Sequence, residues 1–188
     1  MSKLSFTAAL FIAAGTISAN VVYIDWVDNG NLIPGYSTFD LMVAVDPGDD
    51  WTSASITANV INGEFFQHDV GGDAEPNSAL FAVFPALEYD SFFANPPALF
   101  DGLNPGFASG PIWTSTSIEA VWFDTLDSGG GDFTLARFTI TEGAYLVGGG
   151  DVTYRNSGGD LYPYILWPTP GTAAPLLLAG LACRRRQL

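Results

Sequence analysis

Glycine, proline, asparagine and aspartate punctuate this chain between Asn20 and Trp167 into short β-rich runs, and no helix of ordinary length appears. What remains are short runs rich in Val, Ile, Thr, Phe, Tyr and Trp, whose branched or aromatic side chains suit a pleated surface. These runs predict strands at Val21 to Val27, Thr38 to Val45, Ala54 to Ile61, Glu64 to His68, Ala79 to Phe84, Glu88 to Phe92, Ser117 to Phe123, Phe133 to Thr141 and Val152 to Tyr154. Many short strands at close spacing predict an all-β fold, a single antiparallel β-sandwich over residues 20–167. At 188 residues the chain is long enough for one such domain with one core.

Turn residues cluster at Asp46-Pro47-Gly48-Asp49-Asp50, Asn62-Gly63, Asp127 to Asp132 and Asn156 to Asp160. Asn62-Gly63, set between two β-rich runs, predicts a type I′ hairpin, because that turn needs positive φ at both central residues. In the run from Phe133 to Thr141, Phe133 and Leu135 have one parity and Phe138 and Ile140 the other. All four belong inside, so a β-bulge is predicted near Ala136. The glycines at 129 to 131 are no phosphate loop, lacking the Lys-Ser/Thr pair and the following helix. The longest predicted loop runs from Asn95 to Pro111, and loops on rigid sheets are where function concentrates.

Charge is distributed unevenly. The six basic residues are Lys3, Arg137, Arg155, Arg184, Arg185 and Arg186, whereas all 20 acidic residues fall between Asp25 and Asp160. The central region therefore holds two basic against 20 acidic residues, a formal charge of −18. Such a field repels nucleic acid and anionic lipid, and it suits either solubility or a hard cation such as Ca²⁺. The single cysteine, Cys183, rules out an intrachain disulfide, and one histidine, His68, makes zinc improbable.

Residues 1–19 have the layout of a secretory signal: Lys3 near the start, an apolar run from Leu4 to Ile17, then Ser18-Ala19 before Asn20. Cleavage between Ala19 and Asn20 is expected, with the secretion machinery and signal peptidase as partners. Residues 168–188 place Pro168-Thr169-Pro170-Gly171 before an apolar run from Thr172 to Cys183 and then Arg184-Arg185-Arg186. A basic cluster behind an apolar run holds to the cytoplasmic side and leaves the preceding domain outside. That run is about 12 residues long and holds Pro175, so it falls short of the ~20 residues of a permanent spanning helix.

This tail resembles the PEP-CTERM class of sorting signals, with Pro168-Thr169-Pro170-Gly171 standing where Pro-Glu-Pro is the commoner form. The resemblance implies a short apolar helix held transiently in the inner membrane and an exosortase-like transpeptidase that cuts near the proline motif. It further implies an exopolysaccharide-producing envelope or matrix as the destination. Thr38-Phe39-Asp40-Leu41, the stretch Phe81 to Tyr89 and the strand Leu135 to Ile140 look like ectodomains of proteins sorted this way, and the last is similar to strands of cohesin-like sandwiches. A jelly-roll or cohesin-like topology follows from that likeness.

Several chemistries merit testing against the residues. Asp46, Asp49 and Asp50, or Asp124, Asp127 and Asp132, sit in glycine-rich loops where oxygen ligands suit Ca²⁺, although neither group has EF-hand spacing. A Ser-His-Asp triad has only His68 to draw on, with no Gly-x-Ser-x-Gly elbow. Twenty acids supply pairs by chance, so no two are nominated for hydrolysis. Trp51, Trp113 and Trp122 lie in or beside loops and strand ends, where exposed rings stack on sugars. The expectation is an exported, C-terminally sorted envelope or matrix protein that is not an enzyme and needs no cofactor. A carbohydrate- or calcium-binding module is the alternative, and a secreted hydrolase the third.

Overall fold

The computed structural model describes residues 21–96, 99–100, 104–124 and 129–155, and the backbone of 161–166. The signal segment with Ala19 and Asn20, the residue Asp127, and the tail with Pro168, Thr169, Pro170, Gly171, Arg184, Arg185 and Arg186 lie outside the described residues.

Among the described residues ten strands run in the order β1 (Val21–Val27), β2 (Tyr36–Val45), β3 (Asp50–Ile61), β4 (Phe92–Phe93), β5 (Gly106–Phe107), β6 (Ile112–Trp113), β7 (Ser117–Phe123), β8 (Gly131–Thr141), β9 (Tyr145–Arg155) and β10 (Leu161–Leu166). All ladders between them are antiparallel and form two sheets. One sheet has the order β1-β2-β8-β4, the other β10-β9-β3-β7-β5, with β6 also on β7. No α-helix occurs among the described residues, and none there is long and apolar enough to cross a membrane.

Alternation places the core. In β7, Ile118, Ala120 and Trp122 are buried while Glu119, Val121 and Phe123 stay exposed, the period of two that a one-sided sheet demands. β2 turns Phe39, Leu41, Val43 and Val45 inward, and β3 turns Ala54, Ile56, Ala58 and Val60 inward, so both sheets feed one apolar cluster. The bulge expected near Ala136 is present: Leu41 pairs with Ala136 but Met42 with Thr134, leaving Leu135 as the extra residue. Phe133, Leu135, Ala136, Phe138 and Ile140 all reach the core as a result.

The predicted hairpin at Asn62-Gly63 does not form. Asn62 has φ 63°, but Gly63 does not share the positive φ of a type I′ turn, and residues 64–68 leave the sheet that holds β3. Phe65 instead bridges to Ile140 of β8, and Phe66 N–H donates to Thr139 O at 2.7 Å. Gly63 is needed for space: a Cβ there would lie 2.6 Å from Thr141 Cβ and 2.7 Å from Ala144 Cβ. The chain thus changes sheets at this corner.

After Phe65 and Phe66 run beside β8, the chain up to Ser91 packs over the outer face of the first sheet. The predicted strands Ala79 to Phe84 and Glu88 to Phe92 are mostly tight turns of 3₁₀ type, at Ser78–Leu80 and Pro85–Tyr89, with only Phe92–Phe93 joining β8. Asn77 caps the first by accepting from Ala79 N–H, and Pro85 opens the second with its fixed φ. This crossover covers a polar stripe. Thr38 and Asp40 of β2 stand directly opposite Thr139 and Arg137 of β8, all four buried. Thr139 Oγ1 donates to Tyr89 O at 2.6 Å, Thr139 N–H donates to Ser91 Oγ at 3.0 Å, and Leu87 and Phe92 are fully covered alongside.

Candidate functional site

The three tryptophans do not form a platform. Trp51 and Trp122 have no exposed surface and belong to the core, where Trp122 meets Phe93 with ring centroids 4.7 Å apart. Their indole faces are spent on packing, so neither stacks on a sugar. Trp113 is the exception. It ends β6 half-buried, packed edge-on against Phe65 at 5.2 Å and tilted against Phe93 at 5.3 Å, with its remaining surface at the wall of an open groove.

The acidic loops are neighbours at one end of the two sheets. Asp46 and Asp49 lie in the β2–β3 turn and Asp50 opens β3, where its Oδ1 accepts from Gly129 N–H at 3.0 Å across to the loop before β8. Arg155 Nη1 stands 3.7 Å from Asp50 Oδ2, and Asp124 N–H donates to Thr52 O. Asp132 is exposed at the start of β8. Among the described residues no three His, Cys, Asp or Glu side chains converge on a point that suits a metal ion.

His68 serves the crossover. Its ring sits between Phe66 and Phe84, at 6.4 and 5.7 Å, and its Nδ1 accepts from Val70 N–H at 3.2 Å. Asp90 approaches its backbone instead, accepting from His68 N–H at 2.8 Å and Ser91 N–H at 3.0 Å. No serine hydroxyl reaches the imidazole among the described residues, so a Ser-His-Asp arrangement is not built here. The Asp90 carboxyl is fully buried, and that burial pushes it up to about 7 against the opposing pull of the backbone N–H donors.

The groove beside Trp113 holds about 410 Å³ and gathers residues from three places in the chain. Tyr36 begins β2, Glu64 to Gln67 follow the Gly63 corner, and Thr114 and Ser115 make the turn into β7. Backbone bonds join these walls. Phe65 N–H donates to Ser115 O at 2.7 Å, and Thr141 N–H to Glu64 O at 3.0 Å. Thr114 Oγ1 accepts from Thr116 and Ser117 N–H at 3.2 and 2.8 Å, which fixes the turn. Across the mouth the Tyr36 hydroxyl donates to Glu64 Oε1 at 3.3 Å, and burial, followed by the Glu64 charge, raises the Tyr36 pKa. The Tyr36 ring meets Phe66 edge-on at 5.4 Å.

Of these residues the sequence pointed only to Trp113. Tyr36, Glu64, Phe66, Gln67, Thr114 and Ser115 carry no motif, and only the change of sheets at Gly63 brings them together. Comparison with known protein families, with curated proteins and with solved structures finds no match.

Proposed function

We propose that this chain is an exported cell-envelope or extracellular-matrix protein that is sorted through its C-terminal tail and has no catalytic role. Its two sheets then make a β-sandwich of jelly-roll or cohesin-like type, set outside the cell between a cleaved signal helix and an apolar sorting helix. The observation that carries the reading is the order of parts in residues 168–188: a Pro-Thr-Pro-Gly motif, an apolar run and three arginines, behind an acidic β domain. An apolar run closed by arginines halts translocation with the arginines inside. An exosortase-like transpeptidase then releases the domain near Pro168 and joins it to a surface component. The acidic surface keeps such a domain soluble and apart from anionic lipid.

Mass spectrometry of the surface-localised protein tests this. The expected mature chain begins at Asn20 and ends near the Pro168 to Gly171 motif. Recovery of surface protein that still carries Arg184 to Leu188 overturns it.

A further inference from the structure

We propose that the groove lined by Tyr36, Glu64, Phe66, Gln67, Trp113 and Ser115 binds a neutral glycan. Its volume of about 410 Å³ lies within the roughly 300–1,000 Å³ of small-molecule sites. The rings of Tyr36, Phe66 and Trp113 share its wall with the Glu64 carboxylate, the Gln67 amide and the hydroxyls of Thr114 and Ser115. A pyranose presents the same mixture in reverse, with C–H groups on a ring face and hydroxyls at the rim.

The walls are built before any ligand arrives. Phe65 is buried behind Trp113, and the bonds from Phe65 to Ser115 and from Phe66 to Thr139 tie the crossover to both sheets. Gln67 is anchored by its amide, which donates to Ser91 O at 2.7 Å. Little ordering is left to be done on binding.

Charge selects the class of sugar. Among the described residues no Lys, Arg or His lines the groove, Glu64 stands at its mouth, and the central region carries −18. A uronate, sulfated or phosphorylated glycan finds no counter-charge there and is repelled at long range.

The choice of a glycan over a soluble metabolite rests on the proposed surface location, but the site and its test do not involve the tail. Isothermal titration of the full-length chain in mild detergent, with cellohexaose, xylohexaose and mannohexaose as neutral probes and polygalacturonate as the anionic one, reads binding directly. At least one neutral probe should bind saturably. Tyr36→Ala, which removes a ring, and Ser115→Trp, which fills the groove from an exposed position, should each weaken it at least tenfold while far-ultraviolet circular dichroism and a cooperative urea unfolding transition are retained. No binding by any of the three neutral probes overturns the proposal, as does binding of polygalacturonate alone or binding that survives in a folded Ser115→Trp variant. Failure here leaves the mass of the mature protein untouched, and an uncut tail leaves titration untouched, so the two readings fail separately.

Discussion

Arg137 grips Asp40 with two parallel bonds, Nε to Oδ1 at 2.7 Å and Nη2 to Oδ2 at 2.9 Å, from the position directly opposite it on the neighbouring strand. The guanidinium also donates through Nη1 to Glu88 O at 2.8 Å and lies 5.8 and 5.5 Å from the ring centroids of Phe92 and Phe100. The crossover is therefore pinned to the first sheet through the guanidinium of a largely buried ion pair, whose side chains keep only 7% and 10% of their surface exposed.

Removing one partner strands the other charge in a dry place. Asp40→Ala should cost ~3–5 kcal/mol in urea unfolding, the usual penalty for half of a buried pair. Asp40→Leu combined with Arg137→Met should recover most of that loss, because it removes both desolvation costs together. A double variant no more stable than the single one would show that the charge was not the cause.

Asp90 gives the crossover a pH response. Its carboxyl titrates near 7 in the folded chain and at 3.8 without that burial, so the folded state holds a proton that the unfolded state has lost. Stability from this group is therefore full below about pH 4 and falls as pH rises to 7, by at most ~4 kcal/mol across that span. Melting temperatures of wild type and Asp90→Asn should diverge between pH 4 and 7, with the wild type losing ground. Parallel curves would remove Asp90 as the cause.

The Gly63 corner makes a contrast with Gly72. Gly63→Ala drives a methyl group into Thr141 and Ala144 and should cost about 1–3 kcal/mol. Gly72→Ala meets nothing within 4 Å and should leave the unfolding midpoint unchanged or slightly higher. Equal midpoints for the two variants would mean that the corner relaxes freely. Because residues 64–67 follow this corner, Gly63→Ala should also displace the groove wall.

Strands whose parity is unbroken are legible in the amino-acid order. β1 and β7 match their predicted bounds, but Trp122, expected as an exposed ring near a strand end, follows the β7 alternation inward. Trp51 escapes the same logic because the β3–β9 register shifts between Trp51 and Ser53, which carries an odd-numbered residue into a core of even-numbered ones. Most of β9 is hidden by Gly148, Gly149 and Gly150, where a side chain at Gly148 would meet Thr57 O at 2.1 Å, so strand and glycine coincide. β10 is hidden by Pro163, tolerated because β10 is the last strand of its sheet. The segments 79–84 and 88–92 have strand-like composition, but only Phe92 and Phe93 pair in a ladder; the rest turn tightly and lie over the first sheet. The groove is illegible for a plainer reason. Its walls are set by pairings such as Thr38 with Thr139, and no local pattern reports which distant strands will meet.

The Asp40 and Arg137 pair joins positions 97 residues apart, and β3 likewise waits for β7 and β9 to supply its neighbours. β2 has only β1 beside it until β8 arrives. A chain emerging from its amino end carries β2 with one bare hydrogen-bonding edge and β3 with two until β7, β8 and β9 are made. Topologies dominated by such distant pairings fold on the ~millisecond-to-second scale, because loop closure precedes the contacts that reward it. Until then the long, apolar strands are the segments most exposed to mispairing, and a chaperone that holds the nascent chain has its natural targets there.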